Sequence, residues 1–385
     1  MTQLNRNPAA AIVGMGTALP AYSITQPDIA ELIASSLQDR PDLARFARRV
    51  FKSCGVETRY TCDDSYLGSA ENCRYLPSGD KGHIPATEER MKKYQQEAPP
   101  LGLEAAARAL RDAGQSAGDI THLITVSCTG QYLPGLDVEL IRQLGLPPRV
   151  NRLPLIFQGC AAGLKAIQLA RDVVLGTPGS RVLVVCVELC TLHFQPVKDR
   201  GALLAASFFG DGAAACVIAA PEAHHTHYLD LGRGYSVLLP DTTEDMTWEV
   251  GDTGFDLYLS PRIPELLGIH LEAELAMLLG DTGRPELWAV HPGGRGIVDS
   301  VQSVMQLSDE ETRYSREILR TAGNLSSVTI LFVLESMRQD MRAKESSARA
   351  GVAMAFGPGL TAELMRFSYV PAYTPSAKEQ DHAIL

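Results

Sequence analysis

The chain alternates short apolar segments, which have the length and composition of buried strands, with longer segments that have the apolar periodicity of helices. Two long helical segments are predicted at residues 88–114 and 260–280, with Pro and Gly marking their breaks. Alternation of this kind predicts an α/β fold with layered sheets and helices. The strand candidates are HLITVSC (122–128), RVLVVCVEL (181–189), AAACVIAA (213–220), LWAVHP (287–292), GVAMAFGPG (351–359) and LMRFSYV (364–370).

The composition changes near residues 221–232, PEAHHTHYLDLG. We interpret this change as the junction between two halves, residues 1–221 and 222–385. Each half ends in strand candidates, so an internal duplication is possible, although no clear sequence repeat proves it. With 385 residues, of which 45% are hydrophobic, the chain is long enough to bury a large core.

The charge balance argues against a nucleic-acid surface. The formal net charge is −10 and the pI is near 5.4, so there is no extended excess of Lys and Arg to neutralise a phosphate backbone. The eight cysteines lack paired metal-ligand spacing, and several lie in apolar runs where thiols pack as small hydrophobes. We therefore predict no metal site and a reducing, cytoplasmic location.

Two apolar segments superficially resemble export or membrane signals. Residues 1–20 contain a short apolar run with two glycines, which we interpret as a first core strand. Residues 201–220 are about as long as a membrane span, but Asp211 and three glycines interrupt them. We expect a buried helix end, a tight Gly-Asp-Gly turn and a core strand there, and no membrane span.

Cys160 follows an apolar strand-like run and Gln158-Gly159, and it precedes periodic apolar residues, so it should open a buried helix. The unpaired N–H groups and the positive dipole end of a helix start favour a thiolate, which predicts a lowered pKa for Cys160. Downstream, His291 and Asn324 interrupt apolar or Gly-rich surroundings. A nucleophile, an imidazole and an amide form a working set for acyl transfer through a thioester.

Each of these residues also has a purely structural interpretation. Cys160 alone would be a packed core thiol, as Cys186 is expected to be, and His291 alone would be a hydrogen-bonded structural histidine. Asn324 resembles a turn residue, and the AFGPG segment at 355–359 is a plausible turn as well. Their joint occurrence inside a set of motifs favours the catalytic interpretation.

Six segments, taken in order, resemble the type III polyketide synthases, the chalcone synthase-like branch of the thiolase fold. The resemblance runs over nearly the whole chain and implies a homodimer of duplicated α/β halves in α-β-α-β-α layers. It also implies acyl-CoA starters and malonyl-CoA extenders, with no metal or redox cofactor and no carrier protein requirement. The segments are SCTGQYLPGLD (127–137), QGCAAG (158–163), FFGDGAAA (208–215), HPGGRG (291–296), GNLSS (323–327) and AFGPGLTAE (355–363).

The resemblance implies a role for each member of the triad. Cys160, in the N-terminal half, attacks the starter thioester, while His291 and Asn324, in the C-terminal half, donate hydrogen bonds to the thioester oxygen as malonyl-CoA loses carbon dioxide. Phe209 and Phe255 match the two phenylalanines that guard the entrance between the CoA tunnel and the cavity, although either could be ordinary core.

Further residues match positions that shape the cavity in this family. Leu133 matches the residue that reaches into the neighbouring protomer. Cys128 and Cys190 stand where plant chalcone synthases carry threonines, which argues against a coumaroyl-type starter. The loop at 357–359 matches a scaffold for the cavity. The matched cavity and loop residues are Cys128, Leu133, Cys190, Leu192, His193, Ser326, Gly357, Pro358 and Gly359.

A basic helix face stands out on this acidic chain. Arg45, Arg48, Arg49 and Lys52 recur at helical spacing within residues 41–53. The face could be an ordinary solvated surface. The resembled family binds the phosphates of CoA with basic residues from this region, which favours Arg49 and Lys52 as contacts. The resemblance adds Gly296 of the HPGGRG segment to the CoA-binding candidates.

The stretch MTWEVGDTGFDLYLSPRIP (246–264) is similar to bacterial members that extend fatty acyl-CoA starters to alkylpyrones or alkylresorcinols. A fatty acyl-CoA is therefore the leading starter. Three alternatives remain open: a synthase that uses malonyl-CoA alone to make tetrahydroxynaphthalene or another phenol, a single-condensation ketoacyl synthase, and a noncatalytic dimer partner.

Overall fold

The structure is a computed structural model that describes residues 9–76, 83–195 and 198–372. The strands in these residues are β1 (Ala11–Ala18), β2 (Tyr22–Thr25), β3 (Thr58–Thr61), β4 (His122–Ser127), β5 (Asn151–Ile156), β6 (Arg181–Leu189), β7 (Asp211–Ala219), β8 (Tyr228–Leu238), β9 (Met246–Gly251), β10 (Gly254–Leu259), β11 (Leu287–Val290), β12 (Arg349–Gly357) and β13 (Thr361–Val370). The helices are α1 (Gln26–Ser35), α2 (Pro41–Ser53), α3 (Thr87–Asp112), α4 (Leu136–Leu144), α5 (Ala162–Gly176), α6 (Arg200–Phe208), α7 (Ile263–Leu279), α8 (Arg295–Val304), α9 (Asp309–Ala322) and α10 (Thr329–Ala343).

In the described residues, nine strands form one mixed sheet with the order β5-β4-β6-β7-β1-β8-β13-β12-β11. In the first half of the chain, β7 is antiparallel to β1 and β6, and β6 is parallel to β4. In the second half, β13 is antiparallel to β8 and β12, and β12 is parallel to β11. One strand pattern therefore occurs twice. The two copies join where β1 pairs with β8, and the sheet thus shows the duplication that the sequence left open.

The helices pack in layers around the two halves of this sheet. Successive strand residues point to opposite faces, so Leu183 and Val185 of β6 pack in one core with α1, α2 and α3, whereas Val182 and Val184 pack with α5 and α10. The inner helices also cover β12 and β13, and α7 and α8 cover the outer face of the second half, where Trp288 is buried. The resulting α-β-α-β-α order confirms the expected fold class.

Two apolar segments adopt the elements that their composition predicts. β1 is a buried strand of the main sheet, while residues 1–8 of the same segment lie outside the described residues. The segment at 201–220 forms most of α6 and all of β7, and Asp211 is buried at the start of β7. Asp211 accepts hydrogen bonds there from the backbone of Cys62 and from Thr191. The expected Gly-Asp-Gly turn is not formed, because β7 already begins at Asp211 and only Phe209 and Gly210 separate it from α6.

The interior prolines of α3 depart from the prediction. Gly114 and Gly280 follow the ends of α3 and α7, as expected, but α3 continues through Pro99 and Pro100. A proline removes the hydrogen bond to the carbonyl four residues earlier. Those carbonyls belong to residues 95 and 96, which are exposed, so water can hydrate them and the helix need not end.

Two close backbone contacts position the segment around residue 160. Gly159 has a φ of +63°, and a Cβ there would lie 2.2 Å from Cδ of Pro358. A Cβ at Gly163 would lie 2.1 Å from the carbonyl oxygen of Ser327. Only glycine permits both approaches. The start of α5 is therefore held against the loop at 357–359 and against the turn that precedes α10.

Replacing Gly159 with Ala should destabilise the protein by about 1–3 kcal/mol, because the new methyl group meets Pro358 in a left-handed backbone conformation. Gly179→Ala is the matched control, since Gly179 also has a positive φ, of +81°, but a Cβ there would meet open space. Thermal unfolding of both variants measures the difference. Equal midpoints for the two variants would show that the contact with Pro358 is not a constraint.

Candidate active site

Three chain segments from both halves of the sheet bring the predicted triad together. Cys160 lies in a single 3₁₀ turn, Gly159–Ala161, between β5 and α5, and α5 begins two residues later. His291 directly follows β11, and its backbone N–H donates to the carbonyl of Met354 on β12. Asn324 lies between α9 and the 3₁₀ turn Ser326–Val328 that precedes α10.

The three side chains line one cavity of about 510 Å³. The sheet framework carries the polar groups, whereas the rest of the wall is mainly apolar. In the hairpin β9–β10, residues that pair across the two strands point to the same side. Alternate residues of each strand therefore face the cavity. The apolar wall residues include Leu204, Phe208, Phe209, Met246, Trp248, Leu257, Leu259, Ile263 and Phe356.

The amide of Asn324 is oriented by its own neighbours. Its Oδ1 accepts from the backbone N–H of Ser326 at 2.8 Å and from the hydroxyl of Thr329 at 3.2 Å. Its Nδ2 is then free to donate to the carbonyl of Gly293 at 3.1 Å and towards Sγ of Cys160 at 3.9 Å. The donor side of the amide therefore points to the sulfur and to the space where a thioester oxygen would lie.

The imidazole of His291 is buried, and neither ring nitrogen has a hydrogen-bond partner among the described residues. Burial lowers the pKa of His291 to about 3, so the ring is neutral at pH 7. Buried polar atoms without a partner are rare and costly in folded proteins. His291 thus carries one donor and one acceptor that no described residue uses, and it does not hydrogen-bond to Cys160.

The predicted low pKa of Cys160 is wrong for this chamber. Burial is the largest effect and raises the pKa of the thiol to about 11, although contacts with Ser326 and Asn324 act in the opposite direction. The helix start does not offset the loss of water around the sulfur. Cys160 as a whole residue is nevertheless partly exposed, whereas the other seven cysteines, all of them within the described residues, are buried.

A buried glutamate that the sequence analysis missed contacts the thiol of Cys128. Glu188 accepts from Thr129 at 2.6 Å, from the thiol and backbone of Cys128 and from the hydroxyl of Ser327. The thiol of Cys128 also lies 3.1 Å from the hydroxyl of Ser326. Burial raises the pKa of Glu188. A charged residue inside the apolar run RVLVVCVEL was a signal for this network.

The predicted cavity residues divide among four places. Cys128 and Ser326 line the 510 Å³ chamber, and Ser326 lies 3.7 Å from Sγ of Cys160. Cys190 and His193 line a smaller adjoining cavity of about 70 Å³. Leu192 is fully buried and lines neither of these cavities, and Leu133 is 95% exposed at the surface.

The ring of His193 is fixed by three contacts. Its Nε2–H donates to the carbonyl of Thr129 at 2.7 Å, its Nδ1 accepts from the backbone of Phe255 at 3.1 Å, and the ring stacks on Phe255. Burial lowers the pKa of His193 to about 3. This histidine is therefore a neutral wall residue with both nitrogens satisfied.

The two predicted gatekeepers both line the smaller cavity. Phe209 lines both cavities, whereas Phe255 lines only the smaller one. Trp248 lies between them, with ring centroids 6.4 Å from Phe209 and 6.1 Å from Phe255. The sequence analysis did not single out this tryptophan, although it is one of only two in the chain.

The structure separates the three CoA candidates. Gly296 lines the 510 Å³ chamber together with Arg295, while Val50 and Ser53 of α2 line the same chamber. Arg49 is exposed beside this region, and its guanidinium packs over the ring of Phe46 at 5.4 Å. Lys52 lies instead at a separate depression with Glu31 and Arg48.

The loop at 357–359 supports the chamber. Pro358 lines it, and Gly357 lies so close to the Cys160 turn that a Cβ would be 3.1 Å from Ala161. Gly359 has a φ of +68°. The positions of these three residues agree with a role in shaping the cavity.

The described residues contain no group of three or more His, Cys, Asp or Glu side chains arranged to hold a metal ion. In the same part of the chain, no helix has the length and apolar character needed to cross a membrane.

Comparison with known proteins gives a consistent set of relatives. The chain is 33% identical to type III polyketide synthase 21 of Oryza sativa subsp. japonica over 92% of each protein. It is 28% identical to probable polyketide synthase 1 of Dictyostelium discoideum over 91% of its own length, but it spans only 11% of that relative.

Solved structures show the same similarity. The fold matches the C-terminal type III polyketide synthase domain of Steely1, a type I/III hybrid from Dictyostelium, with a TM-score of 0.85 and 27% identity over 94% of this chain and 99% of that one. It matches PKS-I of the brown alga Ectocarpus siliculosus with a TM-score of 0.87 and 27% identity over 95% and 100% of the two chains.

Family models agree over nearly the whole length. Residues 1–222 match the N-terminal domain of chalcone and stilbene synthases, and residues 231–371 match the C-terminal domain. The chain therefore belongs to the chalcone and stilbene synthase family of type III polyketide synthases.

Proposed function

We propose that this protein extends an acyl-CoA starter by repeated decarboxylative condensation with malonyl-CoA and then closes the chain into a ring. The leading starter is a fatty acyl-CoA, and the leading products are an alkylpyrone or an alkylresorcinol. The proposal rests on the meeting of Cys160, His291 and Asn324 in one largely apolar chamber. Membership of the family supports the reaction class.

The first step loads the starter. Sγ of Cys160 attacks the thioester carbonyl while a ring nitrogen of His291 takes the thiol proton. Because burial disfavours each isolated charge, the thiolate and imidazolium should form together as a pair. The bond between the carbonyl carbon and the CoA sulfur then breaks. The CoA thiolate takes the proton from His291, which leaves the acyl group on Cys160.

The second step makes the carbon nucleophile. As malonyl-CoA loses carbon dioxide, negative charge builds on its thioester oxygen. Nδ2 of Asn324 and the N–H of His291 can donate to that oxygen, and one such donor in a dry site contributes on the order of 3 kcal/mol. The enolate carbon attacks the acyl carbonyl, and Cys160 leaves as a thiolate. The longer chain then returns to Cys160, and none of these steps requires a metal or redox cofactor.

The composition of the walls supports an apolar starter. Leu204, Leu257, Leu259 and Ile263 line the chamber, and burying a methylene against such surface stabilises it by about 0.8 kcal/mol. Cysteine stands at positions 128 and 190, which removes hydroxyl groups that a phenolic starter could use. A straight alkyl chain fits this wall better than a phenol does.

A second copy of this chain is the proposed partner. The edge strand β5 is mostly exposed, and it carries the exposed Leu153 and Ile156 near the exposed Leu133. An exposed apolar edge strand is a template for pairing with another chain. Light scattering of the purified protein would measure the assembly directly. The eight unpaired cysteines support the further proposal of a cytoplasmic location.

Purified protein should form product from radiolabelled malonyl-CoA when a fatty acyl-CoA is supplied as the starter. Product from malonyl-CoA alone would favour a synthase of tetrahydroxynaphthalene or another phenol, and strict dependence on a carrier protein would favour a ketoacyl synthase. Absence of product under all conditions would indicate a noncatalytic partner. Chromatography of the labelled products, with a panel of starters, separates these outcomes.

The control variants test the assigned roles. Cys160→Ser should abolish extension but retain some malonyl-CoA decarboxylation, because His291 and Asn324 still face the thioester oxygen. Asn324→Ala should lower decarboxylation by about 10²- to 10³-fold. Full polyketide output from the Cys160→Ser protein would reject the nucleophile.

The proposed proton transfer from Cys160 to His291 predicts how the rate of alkylation of Cys160 depends on pH. In His291→Ala, the thiol should keep the pKa of about 11 that burial imposes. Its reaction with iodoacetamide should then be slow at pH 7 and rise about tenfold per pH unit up to about pH 10. The wild-type thiol should react faster at pH 7, because the imidazole can accept its proton.

Mass spectrometry of the intact protein measures this rate, and the burial of the other seven cysteines makes Cys160 the preferred target. Equal rates for wild type and His291→Ala at neutral pH would show that His291 does not activate the sulfur.

The placement of α2 predicts which basic residue contacts CoA. Arg49→Glu should raise the KM for acyl-CoA roughly fivefold, the equivalent of about 1 kcal/mol for one exposed charge. Lys52→Glu is the matched control, because it makes the same charge change on the same helix but faces a separate depression. Steady-state kinetics at low and high salt compares the two. A larger effect of Lys52→Glu would reverse the assignment.

A further inference from the structure

A second, smaller cavity lies beside the 510 Å³ chamber. The adjoining cavity of about 70 Å³ has small residues of α6 on one side and polar residues at its rim, and it does not include Cys160. The small residues are Ala202, Ala205 and Ala206, and the polar ones include Gln195, Lys198, Asp199 and Asp256. Three residues, Phe209, Trp248 and Leu257, line both spaces. They form the wall between the chamber where the reaction takes place and the smaller cavity.

Trp248 is the largest of the three, and it fills the middle of this wall. Its ring lies at steep angles to those of Phe209, Phe255 and His193, with centroid separations of 6.4, 6.1 and 6.3 Å. Edge-to-face packing of this kind is a favourable geometry for aromatic rings. The indole thus lies between Phe209, which lines both spaces, and Phe255, which lines only the smaller cavity.

The indole nitrogen of Trp248 is buried and has no hydrogen-bond partner among the described residues. The other tryptophan shows the usual arrangement, since Nε1 of Trp288 donates to the carbonyl of Pro285 at 3.0 Å. A buried donor without an acceptor costs stability. Because this nitrogen has almost no accessible surface, Trp248 contributes its ring, and not its N–H, to the wall.

The three wall residues are held differently. The backbone of Phe209 is tied to the main framework, because it forms a bridge with Asn324 and its carbonyl accepts from Arg59. Trp248 and Leu257 lie opposite each other on the hairpin β9–β10, which is a separate two-stranded sheet. A change at Trp248 therefore alters the wall without acting on the segment that carries Asn324.

We propose that Trp248 sets the length of acyl chain that the chamber accepts, by closing the passage to the 70 Å³ cavity. This inference rests on the proposed polyketide synthase function. The ligand class is the straight alkyl chain of the starter, whose far end meets the indole ring.

The length limit is tested by loading, which does not need malonyl-CoA. Wild type, Trp248→Ala and Trp248→Phe are each mixed with straight-chain acyl-CoAs from hexanoyl to stearoyl, and acylation of Cys160 is followed by mass spectrometry of the intact protein. We expect the longest chain that loads to increase in Trp248→Ala, with a gain on the order of tenfold per methylene just above the wild-type limit. Trp248→Phe should keep the wild-type limit, because a ring still closes the passage.

A second substitution shows where the extra length goes. Adding Ala205→Leu to Trp248→Ala refills the smaller cavity from the side of α6 and should restore the shorter limit. An unchanged length profile in Trp248→Ala overturns the proposal, and so does a double variant that still accepts the longer chains. Thermal unfolding checks that each variant is folded, and Trp248→Leu replaces Trp248→Ala if the alanine protein is not.

Tryptophan fluorescence separates failure of this inference from failure of the proposed function. In Trp288→Phe, Trp248 is the only tryptophan, because the chain has two. Binding of a long-chain acyl-CoA should change the emission of Trp248, and hexanoyl-CoA should change it less. No loading and no polyketide with any starter would reject the proposed function. Normal loading with no length-dependent change in emission would reject the role of Trp248 alone.

Discussion

The chamber depends on two backbone contacts that leave no room for a side chain. Gly159 lies against Pro358, and Gly163 lies against the carbonyl of Ser327. These contacts fix the turn that carries the sulfur against elements of the second half of the sheet, and they place the amide of Asn324 at 3.9 Å from that sulfur. Packing of the main chain thereby brings together residues that lie more than a hundred positions apart in the sequence. Their relative positions do not depend on flexible side chains.

Loss of water is the second constraint, and it acts on every ionisable group in the chamber. Burial raises the pKa values of Cys160 and Glu188 and lowers that of His291, so each group favours its neutral form when it is considered alone. Charge should therefore appear in pairs, with a proton passing between sulfur and imidazole. The same burial leaves both nitrogens of His291 without partners. That cost is understandable if substrate oxygens supply the missing contacts, because unsatisfied groups persist where function needs them.

Much of this arrangement could be predicted from the sequence, and the failures have physical causes. Apolar runs identified the main strands because strands that are buried on both faces are almost uniformly apolar. The approach of Cys160, His291 and Asn324 was expected from motifs. The pKa of Cys160 was predicted in the wrong direction, because a sequence shows a helix start but not how much water surrounds it. Pro99 and Pro100 were expected to break α3, but packing against the sheet and exposed carbonyls preserve the helix. Trp248 was missed because its position between the two cavities depends on the folded arrangement of distant segments.

The architecture assigns chemistry and size selection to different parts of the chain. The reacting groups follow strands of the main sheet or begin helices packed between its halves, where any displacement would disturb the core. The hairpin β9–β10 forms a sheet of its own, and its inward face supplies Met246, Trp248, Leu257 and Leu259 to the wall. Its other face carries Thr247, Glu249, Asp256 and Tyr258, which follow the alternation of a strand with one wet side. Substitutions on the inward face can therefore change the volume open to a growing chain while the sulfur, imidazole and amide keep their positions. Under the proposed function, such a division lets one set of reacting groups serve starters of different length.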